Sequence, residues 1–100
     1  KEAGFNAIRS SHHPMSRAML DACDHLGMLV MDELTDMWNR GKNTYDFSDI
    51  FKEEAPKWIH HMVDKDYNHP SVVIYSVGNE IQEAGTNHGL IVLCAIDFMN

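Results

Sequence analysis

Three apolar runs punctuate the chain, the third of them mostly β-branched, and each stops abruptly on polar side chains. The first, around Phe5, Ala7 and Ile8, gives way to Arg9-Ser10-Ser11-His12-His13 and a loop closed by Pro14. The second, Met28 to Met31, ends in Asp32-Glu33. The third, Val72-Val73-Ile74-Tyr75 with Val77, ends in Gly78-Asn79-Glu80. Near-continuous apolar runs of this kind predict strands covered on both faces. Between them the period changes to that of a helix. In "MSRAMLDACDHLG", Met19, Leu20, Cys23 and Leu26 recur at helical spacing, with Ser16 as cap and Gly27 as stop. In "EEAPKWIHHMVDKDYN", Trp58, Ile59, Met62, Val63 and Tyr67 form a second stripe, and Glu53 and Glu54 before Pro56 suit a first turn. The stretch "LTDMWNRGKNTYDFSDIF", with Gly41 and several Asn and Asp, reads as an extended loop carrying exposed aromatics. Leu90 to about Met99 begins a further helix.

The predicted order is β-α-β-α-β-α, with no Asn-Gly or Asp-Gly pair to close a hairpin. Such alternation implies parallel strands joined by right-handed helical crossovers. Parallel strands bring their polar ends to one edge of the sheet, which is where α/β barrels build their active sites. Glu80 therefore attracts attention. A carboxylate at a strand end beside apolar walls is poorly placed for a solvated charge and well placed for a catalytic acid.

Composition narrows the functions. Hydrophobic residues make up 44% of the 100, so the chain is no disordered segment. A net charge of −7 argues against a nucleic-acid partner, which calls for a basic face. No apolar run reaches the ~18 residues of a membrane span. Lys1-Glu2-Ala3-Gly4 opens without an apolar signal region, and the absence of an initial Met suggests a piece of a longer chain. Cys23 and Cys94 lie far apart and read as core thiols. The seven His (12, 13, 25, 60, 61, 69 and 88) form neither HExxH nor a Cys/His knuckle, so neither a metal nor a cofactor is expected.

The segments "NAIRSSHHP", "DHLGMLVMDE" and "DYNHPSVVIYSVGNE", in this order, resemble the catalytic barrel of glycoside hydrolase family 2. That family contains β-galactosidases, β-glucuronidases and β-mannosidases, and the resemblance runs from about Gly4 to Gly85. It implies an α/β fold in which residues 1–100 are a parallel βαβαβα segment of a (β/α)₈ TIM barrel, about strands two to four of eight. It implies that Glu80 is the general acid/base and that Asn79 hydrogen-bonds the sugar 2-hydroxyl. Arg9 and His12 would help build the sugar subsite. Asp32 and Glu33 would support them, orienting Arg9. The family's nucleophile is a Glu at the end of the seventh strand, beyond residue 100. Two departures blur the subfamily: the family usually has Tyr where His13 stands and Trp where Tyr75 stands.

The resemblance and the chemistry agree. A retaining glycosidase needs a proton donor and a second carboxylate roughly 5–5.5 Å away. An amide such as Asn79 both donates to and accepts from a sugar hydroxyl. Trp38, in the long loop, offers two readings: a ring stacked on the sugar, or core packing. The expected partner is a β-glycoside, a β-galactoside first and a β-glucuronide second. The acidic balance and the cysteine pattern fit a bacterial cytoplasm. Three βα units cannot close a barrel of roughly 250 residues. The isolated piece is thus expected to be inactive and to self-associate into a homo-oligomer through exposed sheet edges. A non-catalytic, self-associating α/β module is the alternative.

Overall fold

The apolar runs form three strands, β1 (Ala7–Arg9), β2 (Leu29–Glu33) and β3 (Val72–Ser76), paired in parallel in the order β1-β2-β3. The structure is a computed structural model and describes residues 1–83. The helix expected at Leu90–Met99, with His88 and Cys94, lies outside the described residues.

Two helices cross between the strands. In α1 (Arg17–Leu26), the Ser16 Oγ accepts the Met19 N–H at 3.2 Å, and Gly27 closes the helix in the left-handed region at φ 67. Only glycine reaches that conformation without a steric penalty. The buried stripe is narrower than expected. Leu20 and Cys23 are buried with Met15, Met28 and Val30, whereas Met19 and Leu26 are exposed.

The second helix, α2 (Ser48–Asp66), begins at Ser48 rather than at Glu53, so Pro56 lies inside it and not in its first turn. A proline there lacks the N–H that would bond the Lys52 carbonyl. Burial offsets that loss. Phe51, Ala55, Ile59 and Met62 continue one stripe into a core with Leu34 and Trp38. Phe51 stacks on Trp38 at 6.0 Å and meets Trp58 edge-on at 5.9 Å. Phe51, expected among the exposed loop aromatics, is thus interior, and of the two readings of Trp38 core packing holds, while Tyr45 and Phe47 are exposed. Tyr67 is also exposed and falls outside the stripe.

The sheet contains one irregularity that matters for the site. Val30 pairs with Val72, but Met31 pairs with Ile74, leaving Val73 as an extra residue on β3. A bulge of this kind re-aims the side chains that follow it. Val72 packs on the helix side with Val30, whereas Ser76 pairs with Glu33 and faces the other way. That other face is open among the described residues. Leu29, Val73 and Ile74 are about half exposed, so β3 is not covered on both faces as its apolar run suggests.

Candidate active site

Adjacent residues on a strand point to opposite faces, and β2 separates its two acidic residues accordingly. Glu33 points to the open face and is fully buried there by polar neighbours. It accepts four hydrogen bonds, two at each oxygen: Arg9 Nε at 2.9 Å and Ser76 Oγ at 2.9 Å on Oε2, Arg9 Nη2 at 3.1 Å and His12 Nδ1 at 2.7 Å on Oε1. Burial by itself pushes its pKa up. The hydrogen bonds of His12, Ser76 and Arg9, with the Arg9 charge, outweigh that and hold Glu33 below the usual range. Because an ionised carboxylate only accepts, His12 Nδ1 is the donor in that pair.

Arg9 passes the arrangement on. Its Nη2 donates to Asn79 Oδ1 at 2.9 Å. On the other side, Asn79 Nδ2 donates to Asp36 Oδ1 at 3.0 Å. A guanidinium only donates and a carboxylate only accepts, so the Asn79 amide has one possible orientation. Asp36 also pairs with Lys42 Nζ at 2.9 Å, and the hydrogen bonds of Asn79 and Lys42 keep its pKa low. Lys42 Nζ donates in addition to the Asn79 backbone carbonyl.

Gly78 explains why a glycine precedes the Asn-Glu pair. A Cβ there would lie 2.7 Å from the Ile81 side chain and 3.2 Å from Trp38 Nε1. Glu80 comes next, exposed and with φ 47, a conformation rarely adopted by residues other than glycine. The apolar walls expected around it are not supplied by the described residues. An open cleft of about 520 Å³ reaches the network at His12 and Asp36 and is lined also by His13, Thr35, Phe47 and Trp58, among others.

Arg9, His12, Glu33 and Asn79, singled out from the sequence, thus form one network. Asp32 is not in it. It points to the helix side, where it accepts from the Met15 N–H at 3.2 Å and from Ser10 Oγ at 3.4 Å, and it does not touch Arg9. Trp38 is core: it is 1% exposed, and its Nε1 donates to the Val77 carbonyl at 3.1 Å, leaving no face for a sugar. Ser76, Asp36 and Lys42 escaped the sequence reading. For Lys42 a signal exists in Asp46, an acid followed two residues later by a serine. Asp46 accepts the backbone N–H groups of Lys42, Asn43 and Ser48, which folds the loop that carries Lys42.

The known proteins decide the family. The description "Glycosyl hydrolases family 2, TIM barrel domain" matches residues 1–95. The chain belongs to glycoside hydrolase family 2. The beta-galactosidase BoGH2A of Bacteroides ovatus is 43% identical over 83 residues, covering 83% of this chain and 10% of that protein. A putative beta-glucuronidase of Formosa agariphila is 38% identical, covering 80% of this chain and 8% of that protein. The chain spans about a tenth of the length of these curated relatives. A solved family 2 member from Bacteroides cellulosilyticus superposes with a TM-score of 0.90 at 43% identity, over 99% of this chain and 13% of that one. The βα units are therefore units of the family 2 TIM barrel.

One further cluster lies apart from this site. Asp21, Asp24 and His69 place ligand atoms close enough to hold a cation. Asp24 already accepts from His69 Nδ1 at 2.6 Å and from the Ser71 N–H at 2.9 Å. No helix among the described residues is long and apolar enough to cross a membrane.

Proposed function

We propose that the chain is a segment of the catalytic barrel of a retaining β-glycosidase, with β-galactosides as its first substrate class and β-glucuronides as the second. One observation carries this reading. In a family 2 barrel segment, the ends of three parallel strands meet through Glu33, Arg9 and Asn79 directly before Glu80. Glu80 is then the general acid/base. It gives a proton to the glycosidic oxygen as the bond to the anomeric carbon breaks. A carboxylate supplied from outside these residues attacks that carbon and forms a glycosyl ester. Glu80 next takes a proton from the water that hydrolyses the ester. Asn79 holds the sugar 2-hydroxyl, and Arg9 and His12 shape the subsite around the ionised Glu33. The galactoside preference rests on relatives named beta-galactosidase in Bacteroides ovatus and Lactococcus lactis, at 43% and 39% identity.

The test is hydrolysis of aryl β-galactosides and β-glucuronides by the full-length protein, wild type beside Glu80→Gln. A loss of about a hundredfold or more on poor leaving groups is expected, with recovery on activated leaving groups or with added azide. Unchanged activity in a folded Glu80→Gln protein overturns the reading.

The open face of the sheet favours a second reading for the isolated chain, a non-catalytic module that self-associates through its strand edges. Sedimentation of the 100-residue chain decides it. A concentration-dependent oligomer is expected, and a folded monomer rejects it.

A further inference from the structure

The loop between β2 and α2 is laced to the turn that carries Glu80 at three successive points. Trp38 Nε1 donates to the Val77 carbonyl at 3.1 Å, Lys42 Nζ to the Asn79 carbonyl, and the Arg40 backbone N–H to Glu83 Oε1 at 2.9 Å. Two contacts precede Glu80 and one follows it. The loop is itself held in shape by Asp46, which is kept ionised first by Ser48 and then by backbone N–H groups. Gly41 lies close against Asp46: a Cβ there would approach Ser48 Oγ to 2.7 Å and Asp46 Oδ1 to 3.0 Å.

We infer that Lys42 and Asp36 are positioning residues for the acid/base. Lys42 anchors the Asn79–Glu80 peptide by its carbonyl while Asp36 holds the Asn79 amide, so that the turn at Glu80 keeps the φ 47 conformation in which the carboxyl is presented. A non-glycine residue in that region is strained, and it persists only where its surroundings over-determine it. The peptide plane before Glu80 is one of the two planes that set this φ, and Lys42 grips that plane. Arg9 holds the same Asn79 from the opposite side, but it reaches only the side chain. The backbone of the turn is held by Lys42 and, two residues before Asn79, by Trp38. Neither Lys42 nor Asp36 is needed for the chemistry itself; both act through Asn79 and Glu80.

The inference rests on Glu80 being the acid/base, and the experiment separates the two ideas. In the full-length protein, kcat/KM is measured across an aryl glycoside series from phenyl to 2,4-dinitrophenyl. The proteins compared are wild type, Glu80→Gln, Lys42→Met, Lys42→Arg and Asp36→Ala, with Lys42→Gln in place of a Met variant that fails to fold. A misplaced proton donor harms only leaving groups that need the proton. Lys42→Met and Asp36→Ala are therefore expected to lose about tenfold to a hundredfold on phenyl glycosides and less than about threefold on dinitrophenyl glycosides. Lys42→Arg should recover most of the loss. An equal loss across the series, or none, overturns the positioning role. If Glu80→Gln itself shows no dependence on the leaving group, the acid/base reading fails instead. If Glu80→Gln shows it and the Lys42 variants do not, only the positioning role fails.

Discussion

Asp32 and Glu33 are neighbours on one strand, both fully buried, and they have opposite electrostatic fates. Glu33 faces the site, where four hydrogen bonds hold it ionised. Asp32 faces the helices. It gets two long hydrogen bonds on one oxygen, and Oδ2 has no donor. Its neighbour there is Asp66, equally buried, whose Oδ2 also lacks a donor and whose other oxygen is paired with Lys65. Burial first, and Asp66 second, push the Asp32 pKa up to about 7, and the Met15 N–H and then Lys65 offset only part of this. Two ionised carboxylates offer each other no hydrogen; a proton on Asp32 supplies one. Burial alone therefore does not decide the charge of an acid. The number of donors it meets does, and on β2 that number changes from two at Asp32 to four at Glu33.

The largest effect should come from breaking the ionised side. Glu33→Ala removes the acceptor of Arg9, His12 and Ser76 at once. A loss of on the order of 3 kcal/mol is expected in urea unfolding of the full-length protein. Glycosidase activity should fall by about a hundredfold, because Arg9 no longer orients Asn79. A variant with wild-type stability would show that the network is incidental.

Asp32→Asn should act with the opposite sign, and its effect depends on pH. Asp32 has a folded pKa raised above its unfolded value. Its contribution to stability is therefore fully present below about pH 4 and is lost as pH rises through about 7. Over that window the wild type loses up to roughly 1.4 kcal/mol per pH unit from this group. Asparagine keeps the acceptor for the Met15 N–H and brings a permanent donor toward Asp66. The variant should match wild type near pH 4 and exceed it above pH 7, read as a flatter plot of Tm against pH. Glu33 runs the other way: its folded pKa is lowered, so its contribution is present above about pH 4.3 and lost as pH falls through the folded value. An unchanged slope in Asp32→Asn would place the titrating group elsewhere.

The same contrast shows what the sequence discloses. Arg9, His12, Glu33 and Asn79 were legible because each follows the end of an apolar run, and parallel pairing brings such ends together. That Asp32 faces away was legible in principle, since a strand alternates, but grouping it with Glu33 as one acidic pair obscured it. The start of α2 was masked by Pro56, which signals a helix beginning unless something outweighs the lost hydrogen bond. Here Phe51 against Trp38 does so, and nothing local in the sequence announces that contact. The same packing buries Trp38, which loop composition left free to meet a sugar. Lys42 and Asp36 lie in a loop without a motif, so their approach to Asn79 depends on tertiary folding alone. The bulge at Val73 is equally silent, because "VVIY" reads the same in either register.

The smallest effect tests that bulge. Without it, pairing from Val72 onward would set Tyr75 on the Glu33 side and turn Ser76 toward the helices. With it, Ser76 Oγ reaches Glu33 Oε2 at 2.9 Å, while the Tyr75 hydroxyl has its pKa raised first by burial and next by the Asp32 charge. Ser76→Ala should therefore cost about 1 kcal/mol. It should also shift the low-pH loss of stability toward higher pH, since one of the hydrogen bonds keeping Glu33 ionised is gone. Ser76→Thr, which keeps the hydroxyl, should recover both. Tyr75→Phe should leave the low-pH limb untouched, because its ring lies on the other face. The reverse pattern, with Tyr75→Phe moving that limb and Ser76→Ala leaving it in place, would mean that β3 runs without the extra residue, and Glu33 would then owe its charge to Arg9 and His12 alone.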